Sequence, residues 1–151
     1  MPEPLFEDRT PRLNLPLLFA GQSQKEFFVN EALARLDALV HCAVEAELPS
    51  PPPAPLDGQC WLVGPSATGT WLGQTGAIAC FEQGQWLFQP PRDGLRLFNR
   101  ATGQQAHYHG VWHVPTKPGL PTGGAVVDTE ARAAVCAIID SLVTAGILAQ
   151  P

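Results

Sequence analysis

Five of the seven residues in Pro49-Ser50-Pro51-Pro52-Pro53-Ala54-Pro55 are prolines, and this run constrains the chain more than any other. Each ring fixes φ and removes an amide donor. Neither a helix nor a central strand can pass through the run, so residues 49–57 read as a stiff polyproline connector. A second break, Pro115-Thr116-Lys117-Pro118-Gly119-Leu120-Pro121-Thr122-Gly123-Gly124-Ala125, makes residues 115–125 a Pro/Gly linker. Pro2, Pro4, Pro11 and Pro16 forbid a continuous helix in residues 1–22, which read as an extended arm. The segments left between the breaks are 23–48, 58–114 and 126–148, and each has its own periodicity.

In the first of these, Ser23-Gln24-Lys25-Glu26 has the form of a helix-starting capping box. Val29, Leu33, Leu36 and Val40 follow at spacings of four, three and four, widened by Phe28, Ala32 and Leu39. This predicts a helix with one apolar stripe, expected to be buried. From residue 41 the period changes to two. Cys42, Val44, Ala46 and Leu48 alternate with His41, Ala43, Glu45 and Glu47, which predicts a half-buried strand.

Residues 58–114 predict an antiparallel β-meander, with strands at 59–63, 70–72, 77–82, 85–89, 95–99, 105–109 and 111–114, punctuated by Gly and Asn. The last segment predicts a C-terminal helix capped by Asp128, with Glu130 in its first turn, and stopped by Gly146. Its apolar residues Ala131, Val135, Ile138, Leu142 and Ala145 repeat near 3.5, the spacing of a coiled-coil seam. The same stripe would suit a helix packed on a sheet. The expected class is α+β: an N-terminal extended arm and helix, a central antiparallel β-meander, and a C-terminal helix with coiled-coil-like spacing.

Only 15% of residues are charged, against roughly a quarter in an ordinary globular domain. Interface cores are depleted in charge, so such a surface is expected to be covered by other subunits. Leucines at positions 13, 15, 17 and 18 point the same way, because an extended apolar arm must lie on its own core or on a neighbour. A homo-oligomer is expected, with a trimer favoured and a pentamer possible. The expected interface residues are Leu13, Leu15 and Leu17 of the arm and Val135, Ile138 and Leu142 of the last helix.

The net charge of −5 and the lack of any Lys/Arg cluster argue against nucleic-acid binding. No apolar run reaches the roughly 18–20 residues of a membrane span, and Met1–Asp8 is not expected to be a secretory signal. Cys42, Cys60, Cys80 and Cys136 form no C-x-x-C pair and sit among apolar neighbours. They are expected to be free, mostly buried thiols in a protein assembled in a reducing cytoplasm.

Chemistry is hard to find. There is no G-x-S-x-G elbow, no P-loop and no G-x-G-x-x-G, so neither an enzyme nor a cofactor is expected. Glu45 and Glu47 share a strand face but read as its solvated side. His107 and His109 form an H-x-H pair on one strand face, which in an oligomer could surround an axial metal ion. The plainer account is a set of exposed histidines on a hairpin, with no metal. Every tryptophan follows shortly after a glycine. A positive φ in a turn followed by a ring packing across the hairpin explains this mechanically. The alternative is an aromatic platform for sugar faces, built from Trp71, Trp86, Tyr108 and Trp112.

Three blocks carry a family resemblance: Thr10–Pro16, Ala20–Lys25 and Val29–Val40. It continues through Trp71-Leu72-Gly73-Gln74, Gly76, Trp86, Pro90-Pro91-Arg92-Asp93-Gly94 and Gly124–Arg132, about residues 10–148 in all. In these blocks the chain resembles an uncharacterised domain-of-unknown-function family of alphaproteobacterial prophages and gene transfer agents, found in tail-fibre and head-spike proteins. The resemblance implies a structural virion protein, assembled in the bacterial cytoplasm and carried on a released phage-like particle. It would attach to other virion proteins or to a cell-surface polysaccharide, as the anchor or part of a host-attachment appendage. A glycan-binding module is the alternative, and a capsule-degrading enzyme the weakest one. No catalytic residue is transferred by the resemblance.

Overall fold

The computed structural model of the chain describes residues 9–13, 15, 17, 18, 25–124 and 128–149. They are α+β: eight strands in two sheets, with one helix before the strands and one after them. The chain divides into two compact units, one running to Pro91 and the other from Arg92. The division falls inside the predicted 58–114 meander.

Among the described residues of the predicted arm, 11–13 form a turn. Thr10 N donates to Leu15 O at 2.9 Å, so Leu13, Leu15 and Leu17 do not share one face. Leu13 is exposed, Leu15 half-buried and Leu17 buried within its own chain. Helix α1 spans Lys25–Leu39. The predicted Ser23 cap lies outside the described residues. Most of the predicted stripe faces outward: Val29 and Leu36 on α1 and Val40 just after it are exposed, Phe28 beside them is 72% exposed, and Leu33 is half-buried. The inner face is Ala34, Asp37 and Ala38, each at most 5% exposed.

The cause of this reversal is polar. Asp37 accepts from Thr10 Oγ1 at 2.8 Å, from Arg12 N at 2.9 Å and from Leu13 N at 2.6 Å. A carboxylate with three donors can be buried. The Arg12 side chain then reaches the end of α1. Its guanidinium donates to the carbonyls of Asp37, Ala38 and His41 at 3.1, 2.8 and 3.1 Å. These are carbonyls a helix end leaves without partners, and a cation there also suits the helix dipole.

The predicted strand over 41–48 is two dipeptides, β1 (Ala43–Val44) and β2 (Glu47–Leu48). The expected alternation holds, with Cys42 and Val44 buried and Ala46 and Leu48 half-buried. Strand β2 pairs in parallel with β3 (Cys60–Val63), Glu47 opposite Leu62 and Leu48 opposite Val63. Parallel neighbours need a crossover, and the proline run supplies most of it. Beyond β3, where a strand over 70–72 was predicted, Gly69–Trp71 is a 3₁₀ turn. Gly69 takes φ +62°, and Leu72 N donates back to Gly69 O, which swings Trp71 inward.

Strands β4 (Ile78–Glu82) and β5 (Gln85–Gln89) complete an antiparallel ladder on β3. Their hairpin turns through Gln83 and Gly84 with both φ values positive, the mark of a type I′ turn. The core of this unit is Trp61, Val63, Ala67, Trp71 and Ala79, with Leu48, Phe81, Trp86 and Phe88 packed against it.

In the second unit β6 (Arg96–Asn99), β7 (Gln104–His109) and β8 (Val111–His113) form an antiparallel meander. Helix α2 spans Thr129–Thr144. Asp128 caps it as expected, accepting from Ala131 N at 2.8 Å. Gly146 at φ +70° ends it in a Schellman motif: Gly146 N donates to Val143 O and Ile147 N to Leu142 O. The residues after α2 fasten to β7. Gln105 N donates to Gly146 O at 2.6 Å, and the buried Gln104 amide donates to Ile147 O and Pro115 O. On α2 itself Ile139 is buried, while Val135 and Ile138 of the heptad seam are exposed and Leu142 is half-buried.

Candidate functional site

The tryptophans of the first unit form a cluster. Trp71 and Trp86 meet edge-on with ring centres 5.0 Å apart, Trp61 lies 5.6 Å from Trp86, and Phe81 closes on Trp86 at 5.0 Å. Edge-to-face rings add to the stability that area alone provides. Trp71 has no exposed surface, so it has no face to offer a sugar and is withdrawn from the expected platform. Trp86 is half-buried in the same cluster. Tyr108 and Trp112 are cross-strand partners on β7 and β8, edge-on at 5.3 Å and half-buried.

The other face of the second unit's sheet carries polar chemistry. Arg96 stands opposite His107, and His107 opposite His113, so three side chains make one row across β6, β7 and β8. All three are exposed. The rings of His107 and His113 stack with centres 5.1 Å apart and planes 19° from parallel. His109, the expected partner of His107, instead faces Asp93, its Nδ1 3.4 Å from Oδ2. Asp93 is held by Gly110 N, which donates to Oδ1 at 2.8 Å. The H-x-H pair is therefore split between two partners, one imidazole and one carboxylate. Among the described residues no group of three His, Cys, Asp or Glu side chains could hold a metal ion. Sequence parity placed His107 and His109 on one face, and the hairpin predicted about Gly110 brings His113, the third histidine within seven positions, opposite His107.

A cavity of about 220 Å³ adjoins this row, lined by Arg96, Gln105, Ala106, His107, Pro115 and Ile147. Arg96 has no hydrogen-bond or ion-pair partner among the described residues. Charge is distributed unevenly along the chain. Up to Pro91 there are ten acidic and four basic residues, a net −6, and from Arg92 on four acidic and five basic, a net +1. Three of the four histidines lie on this sheet. The row thus lies in the less acidic part of the chain.

Two apolar surfaces are also exposed. One is the α1 face of Phe28, Val29, Leu36 and Val40; the other is the α2 face of Val135 and Ile138. Of the arm residues expected at an interface, Leu17 is buried in its own fold and Leu13 alone is exposed. No helix among the described residues is long and apolar enough to cross a membrane.

Residues 29–113, more than half of the chain, match the sequence profile described as protein of unknown function (DUF2793), and the chain belongs to that family. The matched span runs from the first turns of α1 to the last residue of β8 and so includes the histidine row. No curated protein matches the chain.

Proposed function

We propose that this protein is a structural, non-enzymatic component of a phage-like particle, a gene transfer agent or prophage virion. There it anchors or forms part of a host-attachment appendage such as a head spike or tail fibre. The observation that carries the proposal is the outward orientation of two heptad-spaced apolar helix faces in one chain. An isolated soluble monomer rarely presents such stripes, and contiguous apolar patches mark interaction sites. Burying each Val, Leu or Ile contributes about 1.5–3 kcal/mol, and association must first overcome about 4–15 kcal/mol. A few residues per copy, repeated around a symmetry axis, meet that requirement.

The self-assembly we propose is a trimer, with a pentamer the alternative, built in the bacterial cytoplasm and joined to other virion proteins. The particle itself is suggested by the resemblance of the Thr10–Pro16, Ala20–Lys25 and Val29–Val40 blocks. Light scattering on the purified chain tests the assembly. A mass that is a multiple of 16.2 kDa, lowered by Leu36→Glu or Ile138→Glu, is the expected result. A stable 16.2 kDa monomer at micromolar concentration refutes it.

One observation favours a second reading, a glycan-binding module for cell-surface polysaccharide. The row of Arg96, His107 and His113 beside the cavity suits a carboxylate-bearing sugar, because a guanidinium pairs with a carboxylate through two parallel bonds. Calorimetry with glucuronate oligosaccharides, with neutral glucose oligosaccharides as control, tests it. Binding of the acidic ligand alone, lost in Arg96→Ala, supports this reading. Binding of neither removes it, and equal binding of both removes the carboxylate role of Arg96.

A further inference from the structure

Cys60 and Cys80 stand directly opposite each other on β3 and β4, and their sulfurs are 2.8 Å apart. Phe81 N donates to Gln59 O and Val63 N to Ala77 O, so the pairs 59/81 and 63/77 are hydrogen-bonded ones. By alternation 60/80 is a non-hydrogen-bonded pair, where Cα atoms approach to about 4.5 Å and side chains lie closest. That spacing lies inside the roughly 4.4–6.8 Å window that a disulfide can bridge without moving the backbone. Two cysteines placed by chance on neighbouring strands would seldom share both register and face.

The local chemistry suits the pair as well. Both thiols are buried, at 1% and 2% exposure, and the two sulfurs are within hydrogen-bond distance. The hydrogen bond between the two sulfurs lowers the Cys60 pKa from its usual value, while the same bond and burial push Cys80 up. The third buried thiol, Cys42, is pushed up to about 11, chiefly by burial, then by the nearby Cys60 and against the pull of Arg12. At neutral pH it therefore stays a thiol and is a poor nucleophile. Cys136 sits on α2, half-exposed.

We propose that Cys60 and Cys80 are a disulfide site, closed by thiol–disulfide exchange with a small-molecule disulfide such as oxidised glutathione. When local opening of the β3–β4 edge exposes Cys60, its thiolate attacks one sulfur of the oxidant, forming a mixed disulfide and releasing one glutathione thiolate. Cys80, giving up its proton to that thiolate, attacks the Cys60 sulfur and expels the second glutathione. Two protein thiols are oxidised and one small disulfide is reduced to two thiols. The bond ties residues 20 apart in sequence and clamps β3 to β4 where β3 begins. Glutathione in a reducing cytoplasm keeps the site open, and an oxidising exterior closes it. The proposal stands apart from the particle reading, because it holds for the chain in any oxidising setting.

The test uses the full chain, incubated for hours with oxidised glutathione, a time suited to uncatalysed exchange. The sample is then quenched in acid, alkylated in denaturant and mapped by mass spectrometry. The expected product has lost two hydrogens, joins the Cys60 and Cys80 peptides, leaves Cys42 and Cys136 alkylated, and melts higher than the untreated chain until dithiothreitol is added. A Cys42→Ala, Cys136→Ala double variant should give the same cross-link. Four alkylated cysteines after oxidation, glutathione left on Cys60, or a bond involving Cys42 would each overturn the assignment.

Discussion

Replacing Asp37 by Ala removes the acceptor that holds the arm on α1. The structure fixes the size of the effect. Asp37 is 1% exposed and accepts from Thr10 Oγ1, Arg12 N and Leu13 N. A buried donor left unsatisfied costs about 1–3 kcal/mol. Thr10, at 2% exposure, bears that cost in full, whereas water can reach the two partly buried amides. The sum is about 3–5 kcal/mol, the range found when one member of a buried charged contact is removed. For a chain of this size that lowers the melting midpoint by roughly 10 °C. Asp37→Asn keeps one acceptor and should lose about half as much. Urea denaturation of Asp37→Ala, Thr10→Val and the double variant measures the loss, and their coupling should be about 0.5–3 kcal/mol. A loss below about 1 kcal/mol, the size of an ordinary substitution, would show that the arm is not held by Asp37.

Three further outcomes follow from the same contacts. Trp71→Ala, at the centre of the aromatic cluster, should cost about 3–5 kcal/mol in chemical denaturation, and a smaller change than Trp86→Ala would be inconsistent with its complete burial. Leu36→Ala should leave the unfolding free energy of dilute protein within about 0.5 kcal/mol while weakening assembly in sedimentation, because the side chain is 51% exposed. Burial, then the charges of Asp37 and Asp57, raises the pKa of Glu82 above its usual 4.5. The folded state then holds a proton that the unfolded state has already lost, so stability falls as pH rises from 4.5 through the folded value and stays lower above it. Glu82→Gln should accordingly raise the melting temperature at pH 7 and leave it unchanged below pH 4.5.

Hairpin chemistry was the most legible part of the sequence. The 85–89 strand matches its predicted bounds, and 78–82, 96–99, 104–109 and 111–113 differ by one residue at an end, because turn glycines and period-two alternation are local signals. The Asp128 cap and the Gly146 stop were read for the same reason. The orientation of α1 was not legible. Periodicity identifies Val29, Leu36 and Val40 as one face but says nothing of what covers it, and the buried face was chosen by a carboxylate whose donors lie 24–27 residues earlier. Trp71 was misread as a strand residue because the fold needed a 3₁₀ turn at Gly69, a backbone choice without a hydrophobic period. The histidine row was partly visible: the three clustered histidines stood out and the Gly110 turn sets His113 against His107, but Arg96 joins the row through the β6–β7 register, which no count along the chain supplies. The Cys60–Cys80 juxtaposition was hidden in the same way.

Gly58 takes φ +81°, and a Cβ there would lie 2.8 Å from the Pro11 ring. The arm therefore has two anchorages, a carboxylate at position 37 and a bare backbone at position 58, both made from chain that follows it. During synthesis residues 9–18 leave the ribosome before either anchorage exists, and they can seat only once the turn before β3 has emerged. The earliest part of this region to be made is thus among the last to be fixed.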